Sequence, residues 1–173
     1  QMDAGPVLLQ VEEPIEPEET ARDVTARLSE IGAEALIEAL AMIEGDDVVE
    51  IEQDESRATF APRITREHAH VDWSRTAVEV ARRIRAMDDV PGAWTVHRGS
   101  ELKVFRPLVD ETAGSAAPGT VIDVAPGDPA SGMLVACGSG AVHIREVKPA
   151  GRRRMTAAEW LRGRAAEPGD VLT

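Results

Sequence analysis

The chain has 173 residues, 43% of them apolar, and a formal net charge of -12. A chain of this size and composition can bury a core, which excludes a disordered tail. An evenly spread negative charge would also exclude a polyanionic partner such as nucleic acid. However, residues 1–58 hold 17 acidic and three basic residues, whereas residues 59–173 hold 14 acidic and 16 basic. The exclusion therefore applies only to the first third of the chain.

The sequence carries one cysteine and no long apolar run. Cys137 has no partner for an internal disulfide, which favours a reducing compartment. No apolar stretch approaches the ~18 residues that span a bilayer, and the acidic N-terminus lacks the positive region of a signal peptide. We therefore expect no membrane contact and a cytoplasmic location. Because the chain starts at Gln1 and not at Met, we also expect a piece of a longer polypeptide or a processed end.

The acidic part of the chain predicts one strand and one helix. VLLQVEE, residues 7–13, reads as a strand that ends before the prolines of PIEPEE. A helix is predicted from Thr20 to Ile43, with Thr20 as its N-cap and Gly45 at its end. Its apolar residues recur at mostly helical spacing: Val24, Leu28, Ile31, Leu36, Leu40 and Ile43.

A polar linker and a second helix follow. Residues 46–72 are irregular in pattern, and a helix is predicted from near Ser74 to just before Pro91. Its expected buried face consists of Val80, Ile84 and Met87.

The rest of the chain predicts a small antiparallel barrel or sandwich. Short runs rich in β-branched residues alternate with Gly, Pro and Ser turns, which is typical of such folds. The five predicted strands lie at residues 93–96, 101–109, 119–124, 133–137 and 141–148. A closing helix begins at a capping box formed by Thr156 and Glu159, with Met155 and Trp160 placed as a hydrophobic staple.

Two motifs have a chemical and a structural interpretation, and in both the structural one is favoured. His68, His70 and Asp72 alternate along the chain and could share one face of a strand, but no third imidazole or nearby cysteine completes a metal site. The segment 138–140, Gly-Ser-Gly, links two predicted strands and does not open a helix, so it reads as a hairpin turn and not as a phosphate loop.

A basic cluster near the end of the chain is the strongest candidate site. Arginine suits phosphate because its planar fork donates two parallel hydrogen bonds. On the residues alone, a phosphate-binding surface and a solvated basic turn fit equally well. Aromatic residues are too scarce for a base-stacking platform, so contacts would go to phosphates of a folded, double-stranded shape. The cluster consists of Lys148, Arg152, Arg153, Arg154, Arg162 and Arg164.

Several strings resemble, in order, the C-terminal half of the methionyl-tRNA formyltransferase family. They are MDAGPVLLQ, QDESRATFAPRI, DWSRTAVEVARRIRAMDDVPGAW, PGTV and VKPAGRRRMTAAEWLRG, and together they cover essentially the whole chain. The resemblance implies an α+β architecture. Residues 1–45 would be the last strand and helix of a Rossmann-like formyltransferase domain, 46–70 a linker, and 71–173 a C-terminal OB-like five-stranded β-barrel with flanking helices.

The resemblance also implies an activity. The family transfers a formyl group from 10-formyltetrahydrofolate to the amino group of methionine on initiator tRNA. Its catalytic residues include an Asn-x-His element, and this chain contains no Asn. We therefore expect the catalytic and folate-binding residues in a missing N-terminal catalytic domain, assign no catalytic, cofactor-binding or metal residue here, and expect this chain alone to be inactive.

In the family the C-terminal barrel helps to hold the tRNA, which raises the expectation that the basic cluster contacts phosphates. Three residues of the first barrel strands are weaker additions: Arg98, Lys103 and Arg106. Two alternatives stay open: a stand-alone tRNA-binding module without catalysis, and part of a sugar formyltransferase acting on a nucleotide-linked amino sugar. The concentrated arginines favour the tRNA enzyme because a nucleotide sugar is too small to need a remote basic surface.

Overall fold

The chain divides into two compact units, Gln1–Arg63 and Ile64–Thr173. The computed structural model describes residues 4–112, 116–125, 127–128, 130, 132–163 and 165–173. The first unit carries one long helix, and the second carries an antiparallel sheet with two shorter helices, so the architecture is α+β as expected.

The first unit is built on helix α1, Ala21–Glu44. Thr20 and Asp23 form a reciprocal capping box: the Asp23 amide donates to the Thr20 hydroxyl at 3.3 Å, and the Thr20 amide donates to the Asp23 carboxylate at 3.0 Å. At the other end, the Gly45 amide donates to the Ala41 carbonyl at 2.9 Å. The predicted helix and both of its predicted ends are confirmed.

Helix α1 has an apolar stripe but buries none of its residues. Leu36 is 60% exposed, Ile37 is 70% exposed and Leu40 is 56% exposed. Packing of an apolar face supplies most of the stability of helices in proteins. Here the helix depends on its caps and its backbone hydrogen bonds instead.

The strand predicted over residues 7–13 does not form. Only Val7 makes a ladder pair, exchanging hydrogen bonds of 2.9 and 3.0 Å with Ile51. An apolar run becomes a strand only where a neighbour supplies hydrogen-bonding partners along its length. In the described part of the first unit, this run has such a partner at one residue.

In the residues that the structure describes, the second unit contains an antiparallel sheet of six strands: β1 (Trp94–His97), β2 (Ser100–Asp110), β3 (Val121–Val124), β4 (Met133–Ala136), β5 (Ala141–Pro149) and β6 (Met155–Thr156). Their spatial order is β1-β2-β5-β4-β3, with β6 paired to β5. All five predicted strand segments form strands. The predicted number is short by one because the two residues of β6 are too few to show a periodicity.

The sheet is strongly curled. Leu172 forms a bridge with His97 of edge strand β1, and the adjacent Val171 forms one with Thr120, next to the opposite edge strand β3. In a flat sheet four strand spacings would separate these edges by about 19 Å. Two consecutive residues reach both edges only because the sheet curls and brings the edges together.

The turn between β1 and β2 has the geometry of a tight hairpin. His97 pairs with Ser100, which leaves Arg98 and Gly99 as a two-residue loop. Their φ angles are 48° and 77°, as a type I′ turn requires at both central positions. Glycine adopts this conformation without steric cost, whereas Arg98 occupies the left-handed region that non-glycine residues visit uncommonly.

Helix α2, Ala77–Ala86, packs on the curled sheet. Thr76 caps it: the Glu79 amide donates to the Thr76 hydroxyl and the Glu79 carboxylate accepts from the Thr76 amide. The helix thus begins slightly later than the predicted start near Ser74. Its three predicted apolar residues are at most 5% exposed and join the main core: Val80, Ile84 and Met87.

Candidate nucleic-acid interface

The turn between β5 and β6 carries the three consecutive arginines of the predicted cluster, residues 152–154. Val147 of β5 pairs with Met155 of β6, so the chain reverses direction between these residues. Gly151 has a φ of 69° within the turn, a conformation that favours glycine. The sheet thus presents the arginines on one short loop.

Most of the predicted cluster is exposed to solvent. Arg153 contacts the Glu159 carboxylate through its guanidinium, yet its side chain is still 70% exposed. Arg164 lies outside the described residues. The exposed members are Lys148, Arg152, Arg153 and Arg162.

Arg154 has different surroundings from its neighbours. Its side chain is 29% exposed, and it donates from Nη1 and Nη2 to the two carboxylate oxygens of Asp88 at 2.7 and 3.2 Å. Its Nε donates to Glu146 at 2.6 Å, and its guanidinium lies 4.0 Å from the centre of the Phe105 ring. We call these four residues the Arg154 cluster.

The charge of Arg154 is stabilised where it lies. Partial burial alone would lower the pKa of Arg154, but its hydrogen bonds to Asp88 and Glu146 outweigh this and raise the pKa above its ordinary value. Asp88 is only 6% exposed, so the guanidinium compensates a carboxylate that has left water. Arg154 is thereby the most constrained residue of the predicted set that the structure describes.

Lys103 and Lys148 stand directly opposite each other on β2 and β5. Like charges in this position destabilise a sheet. The Lys103 ammonium donates to the Pro91 carbonyl at 2.5 Å, which satisfies part of its hydrogen-bonding capacity. An anion beside the pair would relieve this repulsion.

Arg98 and Arg106 are the other two weaker candidates. The contacts of both lie outside the arginine turn. Arg98 pairs with Asp170, with 2.9 Å between Nη2 and Oδ2. Arg106 has a φ of 51°, lies between the paired residues Phe105 and Pro107 of β2, and is exposed to solvent. Of these two residues, Arg98 has its charge balanced by a carboxylate.

Helix α3, Ala157–Leu161, follows β6 directly. Of the predicted capping box, the Thr156 half is present: the Glu159 amide donates to its hydroxyl at 3.1 Å, while the Glu159 carboxylate contacts Arg153. Met155 and Trp160 pack against the main core, which holds this end of the helix to the sheet.

A cleft of about 640 Å³ beside α2 is lined in part by His68 and His70, the two histidines that were predicted to share one face of a strand. His68 accepts from the Thr65 amide at 3.0 Å, and His70 packs 4.3 Å from the Trp94 ring. The strand itself does not form, because residues 67–69 make a 3-10 turn. Among the described residues no group of three His, Cys, Asp or Glu is placed to hold a metal ion.

The Gly-Ser-Gly segment forms the predicted turn between β4 and β5. Its Gly138 amide donates to the carbonyls of Trp73 and Arg75 at 2.9 and 2.7 Å, and the Ala77 amide donates to the Ser139 carbonyl at 2.8 Å. The segment therefore docks the sheet against the start of α2, which the sequence pattern did not predict.

The matching family agrees with this fold. Residues 63–165 match the family described as "Formyl transferase, C-terminal domain", so the chain belongs to the formyl transferase C-terminal domain family. It is 37% identical over 171 residues to the methionyl-tRNA formyltransferase of Solibacter usitatus, covering 99% of this chain and 53% of that protein. It is 39% identical over 172 residues to that of Thiobacillus denitrificans, with 99% and 54% covered. The resemblance drawn from the motifs is confirmed, and the chain spans about half the length of these relatives.

Solved structures share the fold. HypX from Aquifex aeolicus in complex with tetrahydrofolic acid has a TM-score of 0.68 and 25% identity, covering 100% of this chain and 32% of that chain. An N-formyltransferase from Helicobacter canadensis, solved with folinic acid and dTDP-3-aminofucose, has a TM-score of 0.58 and 14% identity, covering 83% and 51%. At 14% identity the likeness concerns the fold alone. Among the described residues, no helix has the length and apolar character needed to cross a membrane.

Proposed function

We propose that this chain is the C-terminal part of a methionyl-tRNA formyltransferase and that it positions initiator methionyl-tRNA. The observation that carries the proposal is the exposed arginine turn on the family's C-terminal domain, next to the unfavourable Lys103–Lys148 pair. Its relatives in two bacteria carry this enzyme name and match the chain along almost its whole length.

The proposed contacts go from the basic cluster to tRNA phosphates. Arg152 and Arg153 are exposed on the turn. Lys148 precedes the turn in the chain, Arg162 follows it, and both are exposed as well. Such contacts set the register and orientation of a nucleic acid without reading its bases. We include Arg154 and Arg164 in the proposed surface, with Arg154 limited to the donors that its carboxylate partners leave unused.

The proposed architecture follows the family. The curled sheet of the second unit would be an OB-like barrel over residues 71–173, residues 46–70 a linker, and residues 1–45 the end of a Rossmann-like catalytic domain. The pairing of one segment with both edges of the sheet supports the barrel, and the uncovered apolar stripe of α1 supports a missing catalytic domain.

The reaction chemistry is proposed to reside in that missing domain. Attack of the methionyl amine on a formyl carbon builds a tetrahedral oxyanion, which needs hydrogen-bond donors for the oxygen and a base for the amine proton. The formyl donor of the whole enzyme would be 10-formyltetrahydrofolate, and the reaction would take place in the cytoplasm.

The cleft beside α2 is not the folate site that we propose. Ligand pockets for such molecules are lined mainly by apolar and aromatic side chains. This cleft is lined instead largely by charged groups: Glu67, Asp72, Arg75, Glu79, Arg82 and Arg83. We therefore propose that the donor binds mainly in the missing catalytic domain.

A binding experiment tests the proposal. The triple variant Arg152→Ala, Arg153→Ala, Arg162→Ala should bind an uncharged initiator tRNA transcript more weakly than the unmodified chain. In a filter-binding series, the slope of log affinity against log salt should shrink by roughly 0.7–0.9 for each phosphate that is no longer bound. Arg22→Ala, an exposed arginine in the acidic first unit, is the control. Unchanged affinity and slope in the triple variant would show that the arginines form a solvated surface only.

A second assay separates the enzyme from its alternatives. The complete protein, including its upstream half, should formylate charged initiator methionyl-tRNA with 10-formyltetrahydrofolate. Formylation of a nucleotide-linked amino sugar in its place would identify a sugar formyltransferase, the class that the Helicobacter canadensis fold neighbour represents. Binding of tRNA without either product would identify a non-catalytic module.

A further inference from the structure

The Arg154 cluster lies on the outer face of the sheet, where a buried aromatic ring is unexpected. Leu102 and Val104 of β2 point into the main core at 2% and 0% exposure. Side chains alternate along a strand, so Phe105 points to the opposite face, yet it is only 2% exposed. The Arg154 guanidinium at 4.0 Å from its ring centre is part of what covers it.

Arg154 also ties together segments that are distant in the chain. Its bidentate partner Asp88 lies 66 residues away, after the end of α2, and its second partner Glu146 lies on β5. Two parallel N–H donors to one carboxylate fix the direction of an arginine more strictly than a single contact does. A nearly buried carboxylate without its cation is unfavourable, so the Asp88 contact is strongly retained.

These contacts hold one end of the arginine turn. Arg152 and Arg153 precede the anchored Arg154 directly in the chain, and Arg153 itself is 70% exposed. Resting on the proposed function, we infer that Arg154 is a positioning residue: anchored by Asp88 and Glu146, it holds the turn so that Arg152 and Arg153 face the tRNA phosphates.

Two substitutions with the same charge change separate positioning from simple electrostatics. Asp88→Asn and Glu159→Gln each remove one negative charge from a partner of the turn arginines. If only charge matters, both should strengthen tRNA binding. Under the proposed role, Glu159→Gln releases Arg153 for phosphate and leaves affinity equal or higher. Asp88→Asn releases the anchor and lowers affinity by about tenfold.

The variants are compared in the full 173-residue chain with uncharged initiator tRNA transcript as the probe. Arg154→Lys keeps the charge but lacks the planar fork, so it should weaken binding as Asp88→Asn does. Ile84→Val, a core change that leaves all four residues of the Arg154 cluster unchanged, is the stability control and should keep full affinity below its melting temperature. Limited trypsin digestion with mass spectrometry should show faster cleavage after Arg152 and Arg153 in Asp88→Asn and Arg154→Lys than in Ile84→Val.

The outcomes distinguish this inference from the proposed function. Tighter binding by Asp88→Asn, or an affinity loss that Ile84→Val shares, would overturn the positioning role while tRNA binding itself stands. Unmodified chain that fails to bind tRNA would overturn the proposed function. In that case, the digestion experiment would still test whether Arg154 anchors the turn. Faster tryptic cleavage in Asp88→Asn than in the unmodified chain would uphold the anchoring, and an unchanged rate of cleavage would overturn the anchoring too.

Discussion

Arg153 and Arg154 are adjacent in the chain and have opposite surroundings. The former is 70% exposed, whereas the latter is 29% exposed and pairs with two carboxylates. The sequence located the basic cluster, because a run of arginines is visible in the chain itself. It did not show which arginine is anchored, because Asp88 lies 66 residues away and only the fold brings it to the turn.

A second carboxylate, Asp170, gives a prediction about acid stability. Burial alone would raise the pKa of Asp170, but hydrogen bonds from His97, the Glu167 amide and Arg98 outweigh it and hold the pKa below its ordinary value of 3.8. A depressed pKa means that the ionised form stabilises the fold above the unfolded-state pKa, and that this stability is lost as pH falls through the folded-state pKa.

The variant Asp170→Asn should therefore melt at a lower temperature than the unmodified chain at pH 7. The difference should narrow as the pH falls from 3.8 towards the lower folded-state pKa, because the unfolded chain then binds a proton that the folded chain still excludes. Melting curves followed by circular dichroism from pH 7 to pH 3 measure this. A constant difference across the series would contradict the assigned role of the ionised carboxylate.

At the scale of elements, local signals predicted helices and strands better than they predicted pairing. Thr20 and Gly45 mark the ends of α1 in the sequence because caps act within one turn. The apolar run at residues 7–13 carried an equally clear strand pattern and formed one bridge, because a strand also needs a neighbour. The 138–140 turn docks on the start of α2 through contacts between residues that are distant in the chain, so the local sequence pattern could not predict this docking.

That docking predicts a specific sensitivity at Gly138. A Cβ atom there would lie 1.9 Å from the Ser74 carbonyl oxygen, so the backbone would have to move. Gly138→Ala should lower the free energy of unfolding by about 1–3 kcal/mol, the usual cost of overpacking. Urea denaturation measures this, with Gly163→Ala as the control because its Cβ would make an ordinary contact at 3.7 Å. Equal stability of the two variants would mean that the turn is not pressed against α2.

At the scale of the whole molecule, the net charge of -12 conceals two different parts. The acidic excess lies in residues 1–58, and the part that belongs to the formyl transferase C-terminal domain family begins at residue 63. An acidic total therefore does not argue against a tRNA partner for the second unit. The resemblance was visible in the sequence because its motifs are long and ordered, whereas the curl of the sheet required the structure.

The two units should also differ in stability. Helix α1 buries no residue, while α2 and the sheet share one core. Hydrogen exchange reports such differences because amides in weakly packed segments open at low free-energy cost. In the isolated chain, amides of residues 21–44 should exchange much faster than those of β2 and β5. Strong protection across α1 would contradict the interpretation that its apolar stripe is uncovered.

The bridges from residues 171 and 172 to the two edges of the sheet also determine when the second unit closes during synthesis. The Thr95 hydroxyl donates to the Thr173 carbonyl across 78 residues, so this contact forms only after nearly the whole unit has been translated. Until then, both edges of the sheet present unpaired N–H and C=O groups, which readily add strands from other chains. Until residues 171–173 have been translated, these edges therefore stay open to strands from neighbouring chains.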